Sequence, residues 1–294
     1  MTHSQPGILA SLPDQARYIS LQLADTGDLV AALRRLQTLA DGKATVVALG
    51  QDVLRALGHD MPGLRAGPVI PGSLVPIPCH PVSLWLWLRG SDRGELLHRE
   101  RQLVQALQPA FARHHSVEAF LHEQGRDLTG YEDGTENPQG DDIARVATVA
   151  VGGGDGLEGS SFVAVQQWLH DFEDFDAMSP TAQDMAIGRR RADNEELDEA
   201  PDSAHVKRTA QESFSPEAFV WRRSMPWVAG HHGGLMFVAF GSSLDAFEAQ
   251  LTRMSGAEDG IVDALFRFSR PVNGAYLWCP PLRDARLDLA RLGL

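Results

Sequence analysis

One order of hydrophobic periodicities runs twice through this 294-residue chain, and it narrows the fold more than any other feature. In the first pass Ile19, Leu21 and Leu23 fall on one face at period two, the mark of a half-buried strand. Asp28 is then expected to cap a helix carrying Leu29, Leu33 and Leu36 on one stripe. "ATVVALG" (44–50) and "VSLWLWLRG" (82–90) read as strands, the second apolar on both faces and therefore central. Residues 94–108 set Leu96, Leu103 and Leu107 at helical spacing, and "SVEAFLH" (116–122) closes the pass as a strand. The order is β-α-β-β-α-β.

The second pass repeats it. "SFVAVQQWLHD" (161–171) reads as a strand, Ser179-Pro180 opens a helix and Gly188 stops it. "AFVWRRSMP" and "GGLMFVAF" follow as strands, Leu244, Phe247, Leu251 and Met254 form a helical stripe, and "GAYLWCP" ends the pattern. The predicted fold is α+β: two ferredoxin-like modules with antiparallel sheets, residues 1–145 and 146–294, joined through loop-forming residues at 140–158. About thirty residues, 189–218, break the symmetry. A loop of that length in a compact domain is usually functional, and it contains His205.

Charge and cysteines narrow the classes. The formal net charge is −13, with 26 Lys and Arg against 39 Asp and Glu, which argues against a broad surface for nucleic acid or anionic membrane. The two cysteines, Cys79 and Cys279, form no CxxC pair and fit a reducing compartment. The first residues, "MTHSQPGILASLPDQ", lack a basic start and a long apolar core and read as a tail. No apolar run reaches membrane-spanning length. A cytoplasmic enzyme or binding protein is expected.

Chemistry concentrates in a few stretches. In "GYEDGTENP" (130–138) glycines flank Asp133, an arrangement that aims a carboxylate, although Asp-Gly taken alone is a common turn dipeptide. The acids of this stretch do not match the spacing of a 12-residue calcium loop. No histidine pair has metal-site spacing, so His205 stands out by context only; His114-His115 is expected at a helix end. Arg189, Arg190 and Arg191 suit a small anion or cap a helix C-terminus. In "WRRSMPW" (221–227) one of Arg222 and Arg223 should point inward and the other toward solvent, and a buried arginine needs an anionic partner, by default a carboxylate.

Taken together, "GYEDGTENP" with its GxxDG motif, "IGRRR", "SAHVKR", "WRRSMP" and "FSRPVNGAYLWCP" resemble, in the same order, segments of the dye-decolourising peroxidases, and the compact chain is similar to their B-type subgroup. The resemblance implies haem b (iron protoporphyrin IX) held in the C-terminal module, with His205 as proximal iron ligand and Asp133 as distal acid-base group. Arg222 would be the distal arginine, and Ser224 would stand where some relatives carry asparagine. It further implies Arg189 as a haem-propionate partner, Gly134, Thr135 and Glu136 in the cofactor-binding loop, and Asp263, or its rival Asp259, behind the proximal histidine. The implied activity is reduction of hydrogen peroxide through a high-valent oxoferryl intermediate, with dyes, phenols or porphyrinogens giving electrons singly.

The alternatives are a haem-handling protein with incidental peroxidase activity and a cofactor-free assembly module. Asp133 with Arg222 favours catalysis, because a carrier needs no distal acid-base pair. Trp221, Trp227 and Tyr131 are candidates to relay electrons at the surface, or simply pack. Homo-oligomers are expected from exposed sheet edges. The resemblance leaves encapsulation in a protein nanocompartment open, since related peroxidases can be such cargo, but "RLDLARLGL" gives no clear docking tail to support it.

Overall fold

The computed structural model describes residues 2–154 and 156–294. Its first half contains β1 (Thr2–His3), α1 (Pro6–Leu9), β2 (Gln15–Leu23), α2 (Leu29–Leu39), β3 (Thr45–Leu49), α3 (Gln51–Ala56), β4 (Leu84–Gly90), α4 (Arg93–Leu107) and β5 (Phe111–Phe120). The expected elements are present, with two local differences. Asp28 makes no side-chain cap on α2 and instead pairs with Arg35. β5 begins at Phe111, so His114 and His115 lie in a strand and not at a helix end. Its first turns of polar residues show no alternation; pairing along β2 makes them a strand.

The second half contains α5 (Asp142–Ala147), β6 (Ser161–His170), α6 (Phe172–Ala177), α7 (Pro180–Ile187), α8 (His205–Arg208), β7 (Trp221–Arg222), β8 (Met225–Ala229), β9 (His232–Gly241), α9 (Asp245–Met254), β10 (Ser269–Pro271) and β11 (Ala275–Cys279). β12 (Leu282–Arg283) and β13 (Arg286–Leu287) join β1 in a small separate sheet. The stretch read as one strand at 218–226 is β7 and β8, which pair with β9 in one register on either side of Arg223 and Ser224. α5 runs across the expected module boundary at 145/146.

All ten strands of the main sheet pair antiparallel, and a β6–β9 ladder closes eight of them into a ring. The first-half strands lie in the order β5-β2-β4-β3 and the second-half strands in the equivalent order β11-β6-β9-β8. The halves meet at β5–β8, through Ala119 and Trp227, and at β11–β3, through Trp278 and Leu49. β4 shows why its sequence is apolar on both faces. Trp85 and Trp87 point into the ring beside Tyr18, whereas Leu84, Leu86 and Leu88 pack outward with Leu33 and Leu103 of the covering helices. Each such leucine contributes about 1.5–3 kcal/mol of burial.

The amino-terminal segment is not a loose tail. Ile8 is buried in the ring's core, and the carbonyls of Ile8, Ala10 and Ser11 accept from Trp221 Nε1, Arg223 and Arg89. It plugs one end of the ring.

Candidate active site

His205 is the first residue of α8, inside the long connection expected to be functional. Its Nδ1 lies 2.7 Å from Asp263 Oδ2, and Asp263 is fully buried. The second oxygen of Asp263 accepts from the Leu265 amide at 2.8 Å, capping the 3-10 turn Ala264–Arg267. Both carboxylate oxygens are therefore held. Asp259 goes elsewhere, into a two-pronged pair with Arg208 at 2.7 and 2.8 Å, which holds its carboxyl below the usual range. That pair, with Arg208 also donating to the Arg253 carbonyl, ties α8 to α9.

His205 lines a cavity on the outer face of the second-half sheet, about 820 Å³ including its mouth. Leu235, Phe237, Phe247, Leu251 and Met254 make much of its wall apolar, and Asp133 and Arg222 line it as well. Arg222 Nη1 stands 3.8 Å from Asp133 Oδ1, an ion pair and not a hydrogen bond. An adjoining lobe adds Thr135, Glu136 and Arg189.

The GxxDG stretch positions these groups through its backbone. Gly134 has φ +75°, and a Cβ there would lie 2.6 Å from Asn137 Nδ2, so glycine is required. Asn137 then clamps the other partner: its Oδ1 accepts from Arg222 N at 2.8 Å and its Nδ2 donates to Arg222 O at 3.1 Å. Gln211 acts alongside, donating to Glu136 O and accepting from Val220 N. Neither amide carries a signal in sequence spacing, although Asn137 sits within the quoted motif.

The remaining expected residues divide. Arg189 pairs with Glu136 and Glu196 at the lobe, so Glu136 meets an arginine directly. Ser224 does not line the cavity; it is buried, and its hydroxyl stands 3.4 Å from the Val238 amide. Arg222 and Arg223 depart from the inward-or-solvent expectation, because Arg222 turns into the cavity and Arg223 into the ring. Among the described residues Arg223 has no carboxylate within ion-pair reach: it stacks on Trp221 and donates to the Ala10 carbonyl, and burial with nearby Arg89 pushes its pKa down to about 10. Trp221, Trp227 and Tyr131 are all buried rather than at the surface.

The cavity also holds a pair that the sequence did not signal. His170 Nε2 lies 3.0 Å from Asp127 Oδ1 and its Nδ1 2.7 Å from Ser269 Oγ. Burial opposes ionisation of Asp127, but the hydrogen bond and charge of His170 outweigh it and hold the carboxyl below its ordinary range.

Residues 124–284 match the family model "Dyp-type peroxidase, C-terminal". A dye-decolorizing peroxidase of Rhodococcus erythropolis is 30% identical over 252 residues, covering 82% of this chain and 73% of that protein. A dye-decolorizing protein from V. cholerae superposes with a TM-score of 0.84 at 27% identity, over 93% of this chain and 96% of that one. A variant of Rhodococcus jostii RHA1 DypB, solved in complex with heme, gives 0.83 at 25% identity, over 93% and 94%. A family match across more than half of the chain, coinciding with the stretch that carries Asp133, His205, Arg222 and Asp263, means that this protein belongs to the Dyp-type peroxidase family.

Proposed function

We propose that the cavity holds haem b and that the protein reduces hydrogen peroxide there, taking electrons one at a time from organic donors such as dyes or phenols. The observation that carries this is the tethered imidazole. With Nδ1 committed to Asp263, Nε2 of His205 is the nitrogen left for a ligand, in a cavity that also presents Asp133 and Arg222. The lining suits an iron porphyrin: broad apolar walls, one open imidazole nitrogen, and two buried groups without protein partners among the described residues, Gln166 Nε2 and Arg189 Nε. Arg189 would meet a propionate.

The iron, when bound, supplies the site for peroxide and the electrons that cleave its O–O bond. Asp263 would accept from Nδ1–H and make His205 Nε2 the better donor to the metal. Asp133 would take the proton peroxide loses on binding and hand it to the departing oxygen. Arg222 would offset negative charge developing on those oxygens, a role commonly worth about 3 to 4 kcal/mol. Asn137 would keep the guanidinium in register by gripping its backbone. Ser224, outside the cavity lining, is left out of this catalytic set.

We also read the fold as two ferredoxin-like modules, because the strand orders of the halves are equivalent. We place their join ahead of Asp142, since α5 packs on β7 and β9 of the second half as well as on α1. The direct test is an absorbance spectrum before and after peroxide. An intense Soret band that changes on mixing is expected; protein that takes up no haem would end the proposal.

A further inference from the structure

A second cavity, about 910 Å³ including its mouth, opens at the end of the ring opposite the amino-terminal plug. It is distinct from the site above, because the two lie on opposite faces of the same strands. On β6, Gln166 and Trp168 face the haem cavity while Val165 and Gln167 face this one; on β9, Leu235 and Phe237 face the first and Met236 the second.

Three properties of the lining define what would bind. Tyr18 and Trp85, stacked with centroids 5.7 Å apart at 19°, lie buried at its floor. Trp85 is 1% exposed, and its Nε1 has no acceptor among the described residues; the Tyr18 hydroxyl also lacks a partner. An indole N–H only donates, so it calls for an oxygen acceptor. Finally, the lining has no Asp, Glu, Lys or Arg. Its polar groups are amides, hydroxyls and imidazoles, with Gln167 bridging His115 at 3.1 Å and Asn273 at 3.4 Å. Among the described residues no group of three His, Cys, Asp or Glu side chains is placed to hold a metal, which removes the other reading of three histidines near one opening.

We propose that this ring-mouth cavity is a second binding site, for a neutral phenol or methoxyphenol whose oxygen accepts from Trp85 Nε1. Its enclosed part, about 300 Å³, is at the lower end of small-molecule sites and suits a single ring. That the ligand serves as an electron donor rests on the peroxidase reading; the binding itself does not.

The test is calorimetric titration of the haem-loaded protein with 2-methoxyphenol. Wild type should bind, and Ser20→Phe, which fills the cavity from its rim, should lose at least about tenfold in affinity, as should Trp85→Phe, which removes the donor. Ser20→Phe should leave peroxide consumption with ferrocyanide unchanged. No binding by wild type, or undiminished affinity in Ser20→Phe, overturns the site. If ferrocyanide is oxidised but 2-methoxyphenol does not bind, this site alone falls; if 2-methoxyphenol binds as described in a protein without peroxidase activity, the site stands and the peroxidase reading falls.

Discussion

The buried carboxylate behind His205 makes the sharpest demand on a single side chain. Asp263→Asn keeps the shape but loses the anion that orients and strengthens the imidazole, so haem affinity or turnover should fall about 10- to 100-fold, read by absorbance titration and stopped-flow mixing with peroxide. Asn137→Ala should separate the two functions. It leaves His205 and Asp263 untouched but frees the Arg222 backbone, so haem uptake should persist while the reaction with peroxide slows about tenfold or more. Asp127 links the site to stability. Its folded pKa is lowered, so its stabilisation is fully present above the ordinary carboxylate range near pH ~4 and is lost as pH falls through the lower folded value. Asp127→Asn should therefore cost about 1.5–3 kcal/mol near neutral pH, with the gap to wild type closing in acid when urea unfolding is compared at both pH values.

Local punctuation positions the helix that bears His205. Gly188 ends α7 at φ +90°, and a Cβ there would stand 2.4 Å from Val206 Cγ2 and 3.1 Å from Ala204 Cβ, the neighbours of His205 on either side. Gly188→Ala should lower stability by about 1 kcal/mol or more and weaken haem binding as well, because relieving the clash moves α8; a thermal melt and a haem titration together check this. That stop, with Ser179 and Pro180 at the other end, was readable in the sequence because caps are chemistry between near neighbours. The pairing of His205 with Asp263 came from the family resemblance and not from spacing. The residues lie 58 positions apart, Asp259 is an available rival in the same loop, and Arg208, by taking Asp259, shows which carboxylate remains. Asn137 was overlooked for a related reason: an amide that grips backbone 85 residues away leaves no periodic trace.

The repeat exposed both β-α-β-β-α-β passes but not the ring they close, because the halves meet through ladders of one registered pair each, too brief to impose a pattern. Likewise the opening residues look like a tail until the ring they plug is known. Their carbonyls accept from Arg89 and Arg223, two buried guanidiniums whose Nε atoms lack a partner and which have no carboxylate within ion-pair reach among the described residues. Removing residues 1–12 would strip those acceptors, expose the ring core around Ile8, leave Arg223 to recover a partner from water and leave Arg89 with the Lys43 carbonyl. An unsatisfied buried donor costs about 1–3 kcal/mol, more when charged, so the truncated protein should unfold at clearly lower urea while Asp263 and His205, on the far side of the sheet wall, still bind haem. An unchanged unfolding midpoint would show that the segment merely rests on the ring; loss of haem together with stability would show that the plug and the cavity are one cooperative unit.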